Sequence, residues 1–214
     1  MAIGSLSRRT VELLAPLLIA LVLADPGDVS APGPDPLAGW RHDAGLGAHS
    51  TGFTSKEGAD FNFNSASLGY LGSVGHSGGF LHLFLLVPLQ ARQDGHTYAT
   101  ANYYGFRSGT DLLLGAQHRW SLGSAEVEAG PGFHMMFIYL PGKTGYRNFS
   151  ALPMGVGAAT VVRWKTGGQW LSRTVTLGAY ASVAYDYADP VHGNDLTHGF
   201  TFRFGATVGL GARR

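Results

Sequence analysis

One stretch near the C-terminus limits what this chain can fold into more than any other. Phe200, Phe202, Phe204, Ala206, Val208 and Leu210 alternate with Thr201, Arg203, Gly205, Thr207 and Gly209. A strict two-residue period belongs to an extended strand with two unlike faces, because successive side chains leave a sheet on opposite sides. The pattern recurs at 152–164, where Leu152, Met154, Val156, Ala158, Thr160, Val162 and Trp164 alternate with Pro153, Gly155, Gly157, Ala159, Val161 and Arg163. It recurs again where Ala125, Val127, Ala129, Pro131 and Phe133 alternate with Glu126, Glu128, Gly130, Gly132 and His134. From Ala38 onward no segment carries a helical period, so this part of the chain reads as all-β.

Turn signals divide it into eight strands, near 38–49, 59–74, 79–91, 109–120, 124–139, 150–164, 169–187 and 197–212. The connections alternate in length. GHSG at 75–78, SLGS at 121–124 and TGGQ at 166–169 are short, whereas 51–58, 92–108, 140–149 and 188–196 are long. An up-and-down barrel with all its short turns at one end and its long loops at the other has this connectivity. Several strands also reach the roughly 9 to 11 residues that a tilted strand needs to cross a bilayer.

Alternation does not say which face points inward, and composition decides that. Charged residues make up 14% of the chain, against about 25% in soluble globular domains. A soluble barrel needs charge along its outer wall, whereas here small residues dominate the face opposite the apolar stripe, which suits a narrow interior. The expected fold is therefore an all-β, eight-stranded antiparallel up-and-down transmembrane β-barrel of the outer-membrane type, over residues 38–214, with its apolar face turned to lipid. The absence of Cys excludes a disulfide scaffold, a thiol nucleophile and Cys-ligated zinc. A formal net charge of +1 with scattered Lys and Arg leaves no footprint for nucleic acid.

Before the barrel, Arg8 and Arg9 precede the apolar run LLAPLLIALVLA at 13–24, whose Val22 and Ala24 fit a cleavage site. Residues 1–24 read as a secretory signal peptide and 25–37, dense in Pro and Gly, as a linker. The expected location is the bacterial outer membrane. All four Trp fall at the short-turn end: Trp40, Trp120, Trp164 and Trp170 are expected to form an interfacial girdle. Trp170 stands on the opposite parity from Leu171, Val175 and Leu177, which calls for a bulge or an inward ring. Phe61, Phe63, Phe137, Tyr139, Phe149, Tyr185, Tyr187 and Phe200 would supply a second girdle at the other end.

On the inward parity near the short turns lie Arg41, Arg119, Glu126, Glu128 and Arg163, with Asp43 and Arg203 farther up. Charges in a narrow lumen are costly unless paired, so these seven are expected to form an ion-pair cluster that plugs it and holds the strands in register. The nine His are scattered without the short spacing of a metal site and read mostly as interfacial or loop residues. No catalytic, cofactor or metal residue is assigned, and no cofactor is expected.

At this level the chain resembles the small eight-stranded outer-membrane barrels of the OmpA-transmembrane, OmpX and opacity-protein kind. The resemblance covers 38–214 and rests on architecture. Such barrels commonly end on an aromatic residue, a place taken here by GLGARR, with Phe200, Phe202 and Phe204 just upstream. The resemblance implies a structural or surface-interaction role carried by the loops. Its partners would be outer-membrane lipid or lipopolysaccharide, the barrel-assembly machinery, and an extracellular partner contacted by 92–108 and 140–149. A narrow channel and a lipid A-modifying enzyme are the alternatives; a deacylase of that kind would carry His-x-Ser, and this chain has His76–Ser77 instead.

Overall fold

A computed structural model describes residues 40–55, 60–93, 96–98, 109–140, 149–170, 173–187 and 196–213. The expected signal peptide and linker lie outside the described residues, as does most of each long loop. In chain order the strands are β1 (Trp40–Ser55), β2 (Asp60–Val74), β3 (Ser77–Gln93), β4 (His96–Tyr98), β5 (Gly109–Leu122), β6 (Ala125–Leu140), β7 (Phe149–Ala151), β8 (Met154–Trp170), β9 (Arg173–Tyr187) and β10 (Leu196–Arg213). Eight long strands form a closed ring in which each pairs antiparallel with its neighbours, and β1 pairs with both β2 and β10. The short β4 and β7 lie outside the ring and continue the hairpins of β3 and β6 toward the long loops.

The long strands run 14 to 18 residues, longer than the period alone delimits, because pairing continues past the last clean alternation. One turn is displaced from its expected place. TGGQ does not reverse the chain: Lys165 pairs with Thr176, Gln169 with Thr174 and Trp170 with Arg173, so β8 continues and 166–168 form a bulge. Gly167 takes the left-handed conformation that such a bulge needs, at φ 79°. Trp170 therefore belongs to β8, whose even positions Val156 and Trp164 face outward, and it ends on the same outer wall.

Each strand turns one parity inward. In β10, Thr201, Arg203 and Thr207 are buried while Phe200, Phe204 and Val208 are exposed. The same holds around the ring: Leu46, Leu68, Leu114, Phe133, Val156 and Leu177 are all on the outer wall, and Arg41, Asp43, Arg119, Glu126, Glu128 and Arg163 are all within. Glycine makes room in the middle of the lumen. Tyr180 lies across it, so that a Cβ at Gly205 would stand 2.7 Å from its Cε1 and one at Gly47 2.5 Å from its hydroxyl oxygen.

The expected second girdle is corrected at two positions. Phe61 and Phe63 point inward, fully buried, and stack with Phe53 at ring separations of 6.3 and 6.5 Å along the series. They share a parity with Ser65 and Ser67, which fixes them to the interior. Phe137, Tyr187 and Phe200 do lie on the outer wall, and the Phe149 side chain lies outside the described residues.

Leu46 sits mid-strand on the outer wall, 65% exposed. Leu46→Arg should lower the unfolding free energy in lipid vesicles by about 2–4 kcal/mol, and Thr54→Arg, near the long-loop end of the same strand, by about 0–1 kcal/mol. Denaturant titration of the refolded protein measures both, and equal effects at the two positions would contradict a lipid-facing wall.

Candidate functional site

The lumen holds two charge networks at different heights, built by strands on opposite walls. The lower one forms where the bottoms of β1, β2, β5, β6 and β8 converge. Glu128 on β6 is its hub: one carboxylate oxygen, Oε2, accepts from Ser73 Oγ at 2.8 Å, Arg163 Nη1 at 2.9 Å and Arg119 Nε at 3.2 Å. Arg119 also donates to Ser73 Oγ at 2.9 Å, and the Gln117 amide lies against the same carboxylate. Arg163 reaches across to β1, where its Nε donates to Asp43 Oδ2 at 2.7 Å. Arg41 on β1 donates to Glu126 Oε1 at 3.0 Å, and Lys165, 40% exposed at the rim, approaches the same oxygen at 3.4 Å.

Three arginines face three carboxylates here, all of them buried. The balance matters because an unpaired ion in a dry interior costs several kcal/mol even after relaxation, on the order of what a small domain has to spare. Six of the seven charged residues expected in the lumen, Arg41, Asp43, Arg119, Glu126, Glu128 and Arg163, meet in this network.

Arg203 does not join them. It donates through Nη1 to Asp111 Oδ1 at 2.6 Å, in an upper network. His134 lies between two carboxylates there, with Nδ1 2.6 Å from Asp186 Oδ1 and Nε2 3.1 Å from Asp111 Oδ1. Both ring nitrogens thus face carboxylate oxygens, and Arg203 brings a fixed positive charge beside Asp111. Thr201 donates to the other oxygen of Asp186 at 2.8 Å, and Thr51 lies 3.2 Å from Thr201. His49 Nε2 stands 3.1 Å from Asp111 Oδ2.

The layers are joined through aromatic rings. The Arg203 guanidinium lies over Phe84, 5.7 Å from the ring centroid, and Phe84 stacks on Tyr180 at 5.1 Å. The Tyr180 hydroxyl is 3.3 Å from Ser67 Oγ. Sequence reasoning missed the upper network: His49, His82 and His134 are buried, not interfacial. The signal was available in parity, since His134 falls in the same register as Glu126 and Glu128.

Outside the lumen, at the short-turn end, Ser77 Oγ lies 2.6 Å from His118 Nδ1. The described contacts of that imidazole are the rings of His76 and Trp120, each at 4.6 Å, with no carboxylate to orient it as a Ser-His-Asp site requires. Among the described residues no group of three or more His, Asp or Glu could hold a metal ion. Of the four Trp, Trp164 and Trp170 are exposed on the outer wall and Trp120 is half-buried. Trp40 opens β1 opposite Val74, and its side chain is outside the described residues.

Glu128→Ala leaves two guanidinium groups in the lumen without their shared acceptor and should cost about 3–5 kcal/mol. Lys165→Met, at the half-open rim, should cost about 0–1 kcal/mol. Urea midpoints of the refolded variants test the contrast; a Glu128→Ala loss as small as that at Lys165 would refute the hub.

No protein-family model and no curated protein matches this sequence. Among solved structures the fold is similar to that of Neisserial surface protein A, with a TM-score of 0.50 over 82% of this chain and 98% of that one, at 12% sequence identity. The chain therefore has the fold of the small eight-stranded outer-membrane β-barrels.

Proposed function

We propose that this protein is an integral outer-membrane barrel that anchors surface loops, with a lumen closed by its two charge networks. The observation that carries the reading is the inverted distribution of polarity. Leu46, Val156 and Phe204 are each more than 60% exposed, while Arg119, Arg163 and Arg203 are at most 1% exposed. A soluble barrel of this size would reverse that arrangement to stay in solution.

The interior supports an anchor over a conduit. From the short-turn end upward, lumen side chains form the Glu128 network, the Phe84–Tyr180 layer, the Asp111–His134–Asp186 network and an apolar cap that includes Phe53, Phe61, Met136 and Leu140. Each arginine of the two networks has a carboxylate partner, and Asp186 is held by His134 and Thr201. Activity is then left to the long-loop end, where β4 and β7 extend two hairpins beyond the ring. The loops at 92–108 and 140–149, which these short strands enter or leave, are the proposed contact surface for an extracellular partner or lipopolysaccharide. The short turns would face the periplasm, the side from which the assembly machinery inserts the barrel.

Two measurements test this. The protein should fractionate with the outer membrane and migrate differently on a gel before and after heating; recovery as a soluble periplasmic protein would overturn the reading. In planar bilayers the wild type should show no stable conductance, whereas the double variant Glu128→Ala, Arg163→Ala, which thins the lower network, should raise it. A wild type that conducts steadily would make the lumen a channel.

A further inference from the structure

Outside the lumen, at the short-turn end, the strands hold two imidazoles side by side. His76 stands in the turn between β2 and β3, where Gly75 takes the left-handed conformation at φ 73°. That turn is tied to β5, because Arg119 N donates to His76 O at 2.9 Å. His118 immediately precedes Arg119, and the register sets it opposite Ser77. Ser77 Oγ lies 2.6 Å from His118 Nδ1. The His76 and His118 rings stand 4.6 Å apart, centroid to centroid, with their planes at 76°.

Spacing, orientation and charge together decide what such a pair can hold. An ion about 2.0 Å from one nitrogen of each ring sets the centroids about 4.5 Å apart for a right-angled pair of ligands and about 5.2 Å apart for a tetrahedral one. The observed 4.6 Å matches the right-angled case. With Nδ1 of His118 engaged by Ser77, Nε2 is the nitrogen left for an ion. Metal-binding histidines are held in this way, the second ring nitrogen hydrogen-bonded so that tautomer and ring orientation are fixed. Segments 70–82 and 112–122 contain one charged residue, Arg119, and it is buried in the lumen. They offer none of the carboxylate oxygens that calcium and magnesium favour, whereas imidazole suits copper, nickel and zinc. A right-angled nitrogen pair belongs to the tetragonal geometry of Cu(II) or Ni(II), and Cu(II) binds nitrogen sites most tightly of the divalent first-row ions.

We propose that His76 and His118 form a two-nitrogen site for one Cu(II) ion, with Ser77 as the residue that positions His118. In the loaded state His118 Nδ1–H donates to Ser77 Oγ, and Nε2 faces the metal. Two protein ligands do not close the four-coordinate shell of a structural site, so the remaining positions go to water or to a ligand from solution and the ion exchanges. His76 is exposed, which leaves the site open to uptake and release. This activity goes beyond the anchoring role and requires neither the lumen networks nor the long loops.

Copper(II) added stepwise to the tag-free, full-length protein refolded in detergent, followed by electron paramagnetic resonance and tryptophan fluorescence, tests this. The first ion bound should show hyperfine coupling to two imidazole nitrogens. It should also quench tryptophan emission, and Trp120→Phe should remove most of that quench, because the Trp120 ring lies 4.6 Å from His118. His76→Ala and His118→Ala should each abolish the two-nitrogen signal. Ser77→Ala should keep the signal and weaken binding about tenfold, the effect of losing a group that orients a ligand. A wild-type titration that superimposes on that of the double variant His76→Ala, His118→Ala overturns the proposal, as does a two-nitrogen signal that survives either single substitution. Each sample is first checked for heat-modifiable migration. A wild type that shows the folded band and no two-nitrogen signal refutes the metal site alone, and one that never shows the folded band refutes the membrane barrel as well.

Discussion

The structure depends on the pairing of its first long strand with its last. From His42 opposite Leu210 to Thr54 opposite His198, β1 and β10 run in continuous antiparallel register and turn an eight-stranded sheet into a ring. Closure removes both sheet edges, so backbone donors and acceptors along the ring are satisfied by neighbouring strands and need no water. It also divides the strand side chains into those inside and those outside. Eight strands enclose a space just wide enough for side chains to fill, so whatever points inward must pack or pair with what comes from the other walls. The distribution of charge, glycine and aromatic residues in this chain is a response to that confinement.

The two networks join neighbouring strands and also reach across the lumen. Arg163 on β8 joins Asp43 on β1 to Glu128 on β6, Arg41 on β1 reaches Glu126 on β6, and Arg203 on β10 reaches Asp111 on β5. Buried ion pairs gain little net stability over apolar packing, because desolvation offsets most of the attraction. Their effect is on alternatives. Sliding β8 by one residue would turn Arg163 toward the outer wall and leave Asp43 and Glu128 without their shared cation. The networks therefore penalise wrong registers more than they reward the right one, which suits a barrel whose Gly- and Ala-rich inner faces specify register weakly by shape.

Much of this was legible in the sequence, and the limits have a common cause. Two-residue alternation gave the parity of β6, β8 and β10, and with it the inward placement of Glu126, Glu128, Arg163 and Arg203. Parity carries no information about height. Whether Arg203 meets Glu128 or Asp111 depends on how far β10 is staggered against β5 and β6, and that stagger is set by contacts between residues distant in the chain. His134 was misjudged because a lone histidine without spaced ligands reads as a surface residue, although its parity matched Glu128. The TGGQ segment was read as a turn because Gly-Gly usually marks one; only the opposing strand, with Thr174 and Thr176, reveals a bulge.

The strand lengths, which exceed what a bilayer crossing needs, follow from a change of rule along the barrel. Up to the level of Asp111, His134 and Arg203 the interior carries the two charge networks around the Phe84–Tyr180 layer, and the outer wall is apolar. Above it the pattern inverts: Phe53, Phe61, Phe63, Met136, Ile138 and Leu140 fill the inside, while Thr54, Asn62, Arg92 and His198 lie outside. This upper part obeys the rule of a soluble barrel, with an apolar core under a hydrated wall. Phe137, Tyr187 and Phe200, on the outer wall between the two regimes, occupy the height at which an amphipathic boundary favours aromatic rings. The same two-residue period thus serves two solvents in succession. On the proposed membrane reading, the inversion between His49 and Phe53 on β1, two turns of the pleat apart, marks where the outer wall exchanges lipid for water.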